Sequence, residues 1–364
     1  MRFIHIADLH LDSKFDSLAS RPELAQKRRL EQREIFTKVI EYAKNNNVDY
    51  IFIAGDLYED ELVKQSSIEY INRLFKEIPS TRVFIAPGNH DPYLKGSIYD
   101  TYTFNSNVVI FDEYRLKEYE TPDCYIYGAG FTNYSENEID LSEVELSHDK
   151  PNILVLHANL NGNKESDGNS YNPISERVLE KAKFDYVALG HIHKTNFEEN
   201  KKIVYCGSPI SIGFDEPGEH GMIVGECNGS DIKLQFISLD MREFKQLEID
   251  VKDIVDEENL IEKINKIVEL DEKQEDEDIV IMYEIYLKGK RSFDIDVRKV
   301  LSQVDNNNIL KIKDKTKMAY DIEKISKENT LKGLFVQKAL QKEKDGIYSK
   351  EDLEKAIEIG LDVM

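Results

Sequence analysis

Short apolar runs alternate with amphipathic segments over the first 240 residues of the chain. Apolar runs bounded by Gly, Pro, Asn or Asp predict buried strands, whereas apolar positions that recur every three or four residues predict helices. Strands are predicted at 2–7, 48–55, 82–88, 124–130, 152–158, 184–193 and 202–209, and helices at 23–46, 64–78 and 174–182. Residues 220–239 are predicted to form a hairpin that turns at Asn228-Gly229. This alternation predicts an α/β sheet that binds ligands at its strand ends.

The pattern changes near residue 240. Residues 243–317 predict a small α+β module with helices around 256–269 and 294–304. From about residue 325 the spacing is helical, with helices predicted at 328–343 and 349–364, and Ser349 opens the second as a capping residue. We therefore expect three domains, at 1–240, 241–320 and 321–364.

Composition places the chain in the globular class. It has 364 residues, of which 40% are hydrophobic and 32% charged, enough for two or three domains. No apolar run is long enough to cross a membrane, and the first residues do not resemble a signal peptide. Cys124, Cys206 and Cys227 are dispersed and odd in number, which argues against a disulfide framework and predicts a cytoplasmic location.

The net charge of −22 argues against a chain that wraps nucleic acid through bulk electrostatic attraction, because phosphate binding needs clusters of Lys and Arg. A locally basic groove, a metal-mediated phosphate contact or a partner that supplies the basic surface all stay open.

Metal-binding side chains follow five of the predicted strands. The strand ends read "ADLH" (7–10), "AGDLY" (54–58), "GNHD" (88–91), "LHA" (156–158) and "GHIH" (190–193). They carry Asp8, His10, Asp56, Asn89, His90, His157, His191 and His193. Because strand ends on one edge of an α/β sheet converge, these side chains should meet in one crevice. Imidazoles and carboxylates together suit a pair of divalent transition metals, which can clamp a phosphoryl group during displacement.

Each of these strand ends alone would be weak evidence, but a purely structural explanation of all of them in order is very improbable. Asn89 can offer a carbonyl oxygen to a metal, whereas His90 is predicted to face the substrate and to act on the leaving oxygen. Asp91 either fixes the ring of His90 or a neighbouring group, or is a turn residue before Pro92. His5, His148 and His220 lack a strand-end context and are predicted to be structural or surface residues, with the role of His220 left open.

The five strand-end segments resemble the signature of the calcineurin-like metallophosphoesterases, D-x-H, G-D, G-N-H-[DE], H and G-H-x-H, over about residues 1–240. This resemblance implies a four-layer α/β sandwich. It also implies that Asp8, His10, Asp56 and His193 hold one metal, and that Asp56 bridges to a second metal held by Asn89, His157 and His191. His90 would be the catalytic residue, and a metal-bound water the nucleophile.

Longer stretches, among them "MRFIHIADLHLD" and "VYCGSPISIGFDEPGEHGM", resemble bacterial DNA-repair nucleases of the SbcD/Mre type. That branch implies a DNA exonuclease and endonuclease in double-strand-break repair, with Mn²⁺ as the expected metal and Fe, Zn, Ni or Mg as alternatives. Residues 241–320 would form a capping domain, and 321–364 would dock onto a coiled-coil ATPase of the SbcC/Rad type. A homodimer is implied as well, through the helix at 23–46 or the one at 64–78.

A basic region at 287–317 is open to two interpretations, a DNA-facing patch or a solvated basic face. Its cations are Lys288, Lys290, Arg291, Arg298, Lys299, Lys311, Lys313, Lys315 and Lys317.

Two other functions stay open. The first is a phosphatase or phosphodiesterase for nucleotides, phosphoproteins or lipids, which a substrate panel would distinguish. The second is an inactive scaffold of the same fold, against which the complete ligand set argues and which metal analysis would test.

Overall fold

The computed structural model describes residues 1–364 except 16, 17, 20, 143, 147, 148, 163–169, 230, 274–278 and 346–348. The chain divides into two compact units, Met1–Phe244 and Lys245–Met364. His148 lies outside the described residues, and the division into three domains stays a prediction. No described helix combines the length and apolar character that crossing a bilayer requires.

The first unit has strands and helices close to those that the apolar pattern predicts. In chain order they are β1 (Arg2–Ile6), α1 (Pro22–Asn45), β2 (Tyr50–Ile53), α2 (Gln65–Lys76), β3 (Arg82–Ile85), α3 (Ile98–Thr101), β4 (Val108–Ile110), β5 (Lys117–Glu120), β6 (Tyr125–Ala129), β7 (Asn152–His157), β8 (Asn159–Leu160), β9 (Pro173–Ile174), α4 (Glu176–Ala182), β10 (Tyr186–Gly190), β11 (Ile203–Tyr205), β12 (Gly221–Asn228) and β13 (Asp231–Ser238). The predicted hairpin is confirmed, because β12 and β13 pair antiparallel and Gly229 turns with a φ of +65°. The strand predicted over 184–193 ends at Gly190, which leaves both of its histidines in the following loop.

Two sheets form the centre of this unit. Among the described residues, one sheet has the strand order β13-β12-β1-β2-β3-β4 and the other has β11-β10-β7-β6-β5. Strands β1 to β4 are parallel, and so are β6, β7, β10 and β11. The carboxyl ends of the parallel strands in each sheet therefore lie at a common edge.

Alternating side chains produce the layers, because successive residues of a strand point to opposite faces. In β2, Ile51 and Ile53 pack with residues of α1 and α2, whereas Phe52 belongs to a core shared by the two sheets. In β7, Val155 lies in that shared core, and Leu154 packs outward with α4. The unit is thus a four-layer α/β/β/α sandwich, as the resemblance predicts.

A buried ion network ties α1 to the end of the first unit. Arg28 binds Glu31 at 2.6 Å and Asp240 at 2.9 Å, and Arg242 binds Glu31 at 2.9 Å. Burial raises the pKa of Glu31, but the hydrogen bonds from Arg242 and Arg28 outweigh it and hold that pKa below its usual range. The ionised carboxylate therefore stabilises this packing.

The second unit is a small α+β module followed by helices. The elements from the unit boundary onward are β14 (Arg242–Asp250), whose first residues belong to the first unit, α5 (Glu257–Glu272), β15 (Val280–Lys288), β16 (Lys290–Arg291), α6 (Val297–Gln303), β17 (Ile309–Asp314), β18 (Lys317–Met318), α7 (Ile322–Ile325), α8 (Leu331–Lys344) and α9 (Lys350–Asp362). Helices α5 and α6 bury Leu260 and Val300 in one core with the sheet β14-β15-β17. The predicted cap of α9 is confirmed, because the Ser349 side chain accepts the Asp352 N–H at 3.1 Å.

Candidate metal centre

Every site residue predicted from the sequence lies at the carboxyl end of a parallel strand. Asp8 and His10 follow β1, Asp56 follows β2, and Asn89, His90 and Asp91 follow β3; His157 ends β7, and His191 and His193 follow β10. The first three strands belong to one sheet and the last two to the other. The two stacked sheets therefore bring these loops to one region, as the sequence predicts.

The backbone of these loops is held in an uncommon conformation. Asp8, His10 and Asp56 have φ values of +54°, +47° and +52°, and His191 has +99°. Non-glycine residues adopt this left-handed region at a cost, and they concentrate at functional sites. Backbone hydrogen bonds maintain the strain, among them the Asp8 N–H to the Gly55 carbonyl at 3.0 Å. The fold thus gives up some stability to aim these side chains inward.

One group of possible metal ligands consists of Asp8, His10 and His193. Their ligand atoms all lie within 4.8 Å of one another. The Nε2 atoms of His10 and His193 are 3.0 Å apart. Two imidazole lone pairs at this separation repel unless they share a proton or a cation, so the donor set fits a divalent metal.

A second group consists of Asp8, Asp56 and His157, again within 4.8 Å. His157 donates from Nδ1 to the Ala54 carbonyl at 2.9 Å, which leaves its Nε2 lone pair free for a ligand. That Nε2 lies 3.0 Å from Asn89 Oδ1 and 3.3 Å from Asp56 Oδ2. The same Asp56 oxygen lies 3.6 Å from Nε2 of His10 in the first group, so Asp56 stands between the two.

His191 lies beside the second group but belongs to no group of close ligand atoms among the described residues. Its backbone N–H donates to Asp8 Oδ1 at 2.9 Å, and its ring centroid is 5.2 Å from that of His157. Burial and the neighbouring His157 lower the pKa of His191 to about 3. The ring is therefore neutral, which is the form that coordinates metals.

His90 forms a third group of close ligand atoms with His10 and Asp56, but its side chain is 45% exposed, unlike those of the buried ligands. Its Nδ1 donates to Glu59 Oε2 at 3.0 Å, and its backbone N–H donates to Asp56 Oδ1 at 2.9 Å. Burial lowers the pKa of His90, but the hydrogen bond to Glu59 and the charge of Asp56 outweigh it and raise that pKa to about 9. A cationic imidazole at the mouth of the site can stabilise negative charge or give up a proton.

Two carboxylates orient the imidazoles. Besides His90, Glu59 accepts from Nδ1 of His10 at 2.7 Å. Glu216 accepts from Nδ1 of His193 and from the Ile212 N–H. Burial lowers the pKa of His193, but the bond to Glu216 and the charge of Asp8 outweigh it and raise that pKa to about 9. Such outer carboxylates fix ring orientation and strengthen the ring as a ligand once a metal replaces the proton on Nε2.

Sequence reasoning did not single out Glu59 or Glu216. Glu59 follows Asp56 by three residues in "GDLYED", and Glu216 lies in "GFDEPGEHGM", and no spacing or periodicity marks either residue. The buried His220 holds the Glu216 loop, because its Nε2 donates to the Glu216 carbonyl at 3.0 Å. His5 is also buried, and its Nδ1 lies 2.8 Å from the hydroxyl of Tyr186.

Asp91 is fully buried beneath the turns, where it contacts mainly backbone N–H groups. Its carboxylate accepts from the N–H groups of Gly88 at 2.7 Å, Asp56 at 3.0 Å and Leu57 at 2.8 Å, and from the Tyr99 hydroxyl at 2.8 Å. Burial and the charge of Asp56 raise its pKa. These contacts fit the alternative in which Asp91 supports a neighbouring group. The ring of His90 is held by Glu59 instead.

A cleft of about 730 Å³ opens over these groups. Its lining includes His10, Asn89, His90 and His193. The cleft can therefore admit a phosphoester so that it reaches both the ligand groups and the exposed imidazole.

The fold and site define a class of protein. Residues 1–195 match the model of the calcineurin-like phosphoesterase family, more than half of the chain, and the chain belongs to that family. Among curated proteins it is 29% identical over 247 residues to YhaO of Bacillus subtilis, an uncharacterized metallophosphoesterase, covering 65% of this chain and 60% of that protein. It is 26% identical over 295 residues to the SbcD component of the nuclease SbcCD of Staphylococcus epidermidis, covering 71% and 75%. The chain thus spans less than two thirds of the Bacillus relative.

Among solved structures, the crystal structure of TT1561 from Thermus thermophilus is similar to 65% of this chain and 98% of its own, with 12% identity and a TM-score of 0.36. A likeness at this level adds nothing to the assignment, which follows from the family match.

Proposed function

We propose that the chain is a two-metal phosphodiesterase that hydrolyses DNA, as an exonuclease with endonuclease capacity in double-strand-break repair. The observation that carries this proposal is the meeting of buried carboxylates and imidazoles from five strand ends beneath one cleft. Paired metal ions at such a site would bring positive charge to the phosphate oxygens and would activate the attacking water.

Asp8, His10, Asp56 and His193 would hold the first ion, and Asp56, Asn89, His157 and His191 the second. The groups Asp8-His10-His193 and Asp8-Asp56-His157, two of the three groups of close ligand atoms, and the position of Asp56 between His10 and His157 support this division. Mn²⁺ is the proposed metal, since mixed imidazole and carboxylate ligands suit it, with Fe, Zn, Ni or Mg as alternatives.

The protein's own groups have separate tasks in this reaction. His90 is exposed and its hydrogen bond to Glu59 favours the protonated ring, so it can stabilise the charge on the phosphate or protonate the leaving oxygen. Glu59 holds the ring of His90 and that of His10, and Glu216 holds the ring of His193. Asp91 supports the backbone of the turns that carry Asp56 and His90.

DNA as substrate is supported by one relative, whose name describes a component of the nuclease SbcCD. A coiled-coil ATPase of the SbcC/Rad type is accordingly proposed as the partner, with residues 321–364 as the docking element and 241–320 as a capping domain. Leu331, Leu334, Ile359 and Val363 are exposed around α8 and α9, which suits a helical docking surface. We further propose a homodimer and a cytoplasmic location.

A second candidate is a phosphodiesterase for nucleotides or other small phosphoesters. Carboxylates are frequent in the cleft lining, which disfavours a long polyanion. In the 287–317 region, Lys288, Lys299 and Lys313 are each paired with a glutamate. Such pairing favours a solvated face for these three lysines over a free DNA-binding patch.

The deciding experiment measures degradation of linear double-stranded DNA with Mn²⁺ by the wild type and by His90→Ala, with the metal content of both determined. Degradation that the substitution abolishes while the metal content is kept supports the nuclease. Hydrolysis of bis-p-nitrophenyl phosphate without DNA degradation would move the function to the smaller substrates. If the protein takes up metal but hydrolyses neither, the proposal fails.

The docking element is tested by deleting residues 325–364. We expect the shortened chain to hydrolyse bis-p-nitrophenyl phosphate like the wild type but to lose ATPase binding, because the ligand groups all lie in the first unit. Unchanged binding in a pull-down would reject the assignment of these helices.

A further inference from the structure

Cations are scarce around the candidate metal centre. Asp60, Glu61 and Asp215 line its cleft in addition to the carboxylates that orient the imidazoles, and Lys14 is the only Lys or Arg among the described lining residues. Phosphate charge alone therefore gives a nucleotide few favourable contacts here besides the metals and His90. A further contact that does not depend on charge has to select the rest of the substrate.

An exposed aromatic ring provides such a contact. Tyr134 lines the same cleft as Asn89 and His90, and 51% of its surface is exposed. Its hydroxyl donates to Asp60 Oδ2 at 3.2 Å, which fixes the far end of the ring to another residue of the cleft lining. A half-exposed aromatic ring whose hydroxyl is held by a hydrogen bond is suited to stacking.

The loop that carries Tyr134 is anchored to the site. The Phe131 N–H donates to the Pro87 carbonyl at 2.9 Å, directly before the turn with His90. The Phe131 ring packs edge-on against His157, with centroids 5.6 Å apart. Within the loop, Glu136 accepts from the N–H and the hydroxyl of Thr132. The ring of Tyr134 is thus held at a set position relative to the ligand groups.

We propose that Tyr134 is a stacking platform for the nucleobase next to the scissile phosphate. This inference rests on the proposed function, and it makes an unpaired base the recognised feature of the substrate. A base inside a duplex is stacked on both faces and cannot offer one to the ring, whereas a base at a frayed end or in a single strand can.

The test compares two esters that share the p-nitrophenolate leaving group and differ only in the other substituent, thymidine 5′-p-nitrophenyl phosphate and methyl p-nitrophenyl phosphate. The measured quantity is the ratio of their kcat/KM values with Mn²⁺, so any contact of the leaving group cancels. Tyr134→Ala should lower the ratio by roughly 5- to 150-fold, the range that loss of one stacked base gives. Tyr134→Phe keeps the ring and should keep most of the ratio, whereas Tyr134→Leu, which is bulky but not aromatic, should lose it.

An unchanged ratio in Tyr134→Ala would overturn the proposal, and so would an equal loss on both esters, which would give the ring a structural role. The outcome for DNA is separate. If the wild type fails to degrade DNA but shows a nucleoside preference that depends on Tyr134, the DNA substrate is wrong and the platform stands. If the wild type degrades DNA but Tyr134→Ala leaves the kcat/KM ratio unchanged, the proposed nuclease function is kept and the stacking role of Tyr134 is rejected.

Discussion

Glu59 holds two imidazoles of the site at once, and its replacement by glutamine should slow hydrolysis while leaving the fold intact. Its two carboxylate oxygens accept from Nδ1 of His10 at 2.7 Å and from Nδ1 of His90 at 3.0 Å. Glutamine has the same shape but a single acceptor oxygen. One of the two imidazole N–H groups would therefore face an amide N–H and lose its partner.

The size of the effect follows from this count. A hydrogen bond to a charged group contributes about 1.5–3 kcal/mol. Loss of one such bond in the transition state slows a reaction about 10- to 150-fold. Loss of an outer carboxylate partner typically lowers metal affinity or activity by about 10- to 100-fold, which agrees. We therefore expect Glu59→Gln to retain about 1–10% of the wild-type activity.

The assay is hydrolysis of bis-p-nitrophenyl phosphate over a range of Mn²⁺ concentrations. A lower kcat at saturating Mn²⁺ reports on His90, and a higher Mn²⁺ requirement reports on His10. Glu61→Gln is the matched control, because Glu61 lines the same cleft and bonds neither ring in the described contacts. The reasoning is refuted if Glu59→Gln keeps wild-type kinetics, or if Glu61→Gln causes the same loss through charge alone.

Three further substitutions test the supporting structure. Gly55 has a φ of +89°, and in Gly55→Ala the new Cβ would lie 2.3 Å from Nδ1 of His157, so activity and bound Mn²⁺ should fall sharply. Gly96→Ala is the control, because Gly96 has a φ of +88° but open space around it. This control should lose only about 1–2 kcal/mol of unfolding free energy and keep its activity. Asp91→Asn weakens a buried acceptor of four hydrogen bonds and should lower the unfolding free energy, measured with urea, by about 2–4 kcal/mol. An unfolding free energy within error of the wild type would contradict the role of Asp91 in supporting the turns. Glu31→Gln removes the carboxylate that Arg28 and Arg242 share, while Arg28 keeps Asp240, and should cost about 1.5–3 kcal/mol at pH 7. Because the pKa of Glu31 is lowered in the folded state, the loss of unfolding free energy should be complete at pH values above the unfolded pKa of about 4.3. The loss should shrink as the pH falls through the pKa of the folded state. A loss that does not change with pH would argue against the ion network.

The sequence by itself determined the composition of the site. Each proposed ligand directly follows an apolar run, as Asp8 follows β1 and Asp56 follows β2. Parallel strands end at a common edge, so a list of strand ends is already a list of neighbours. The same reasoning predicted the hairpin at Gly229 and the cap at Ser349, because both depend on residues close in the chain.

Only the tertiary structure decided which groups orient the imidazoles. Glu216 reaches His193 from a loop 23 residues further along the chain, and the Nε2 atoms of His10 and His193 meet across 183 residues. Tyr134 likewise joins the cleft through a loop that its own sequence does not distinguish. No periodicity records such contacts, because they depend on the paths of loops and on the rotamers that packing selects. The strand pattern specifies which side chains lie at the edge of the sheets, and the folded loops determine which partner each side chain contacts.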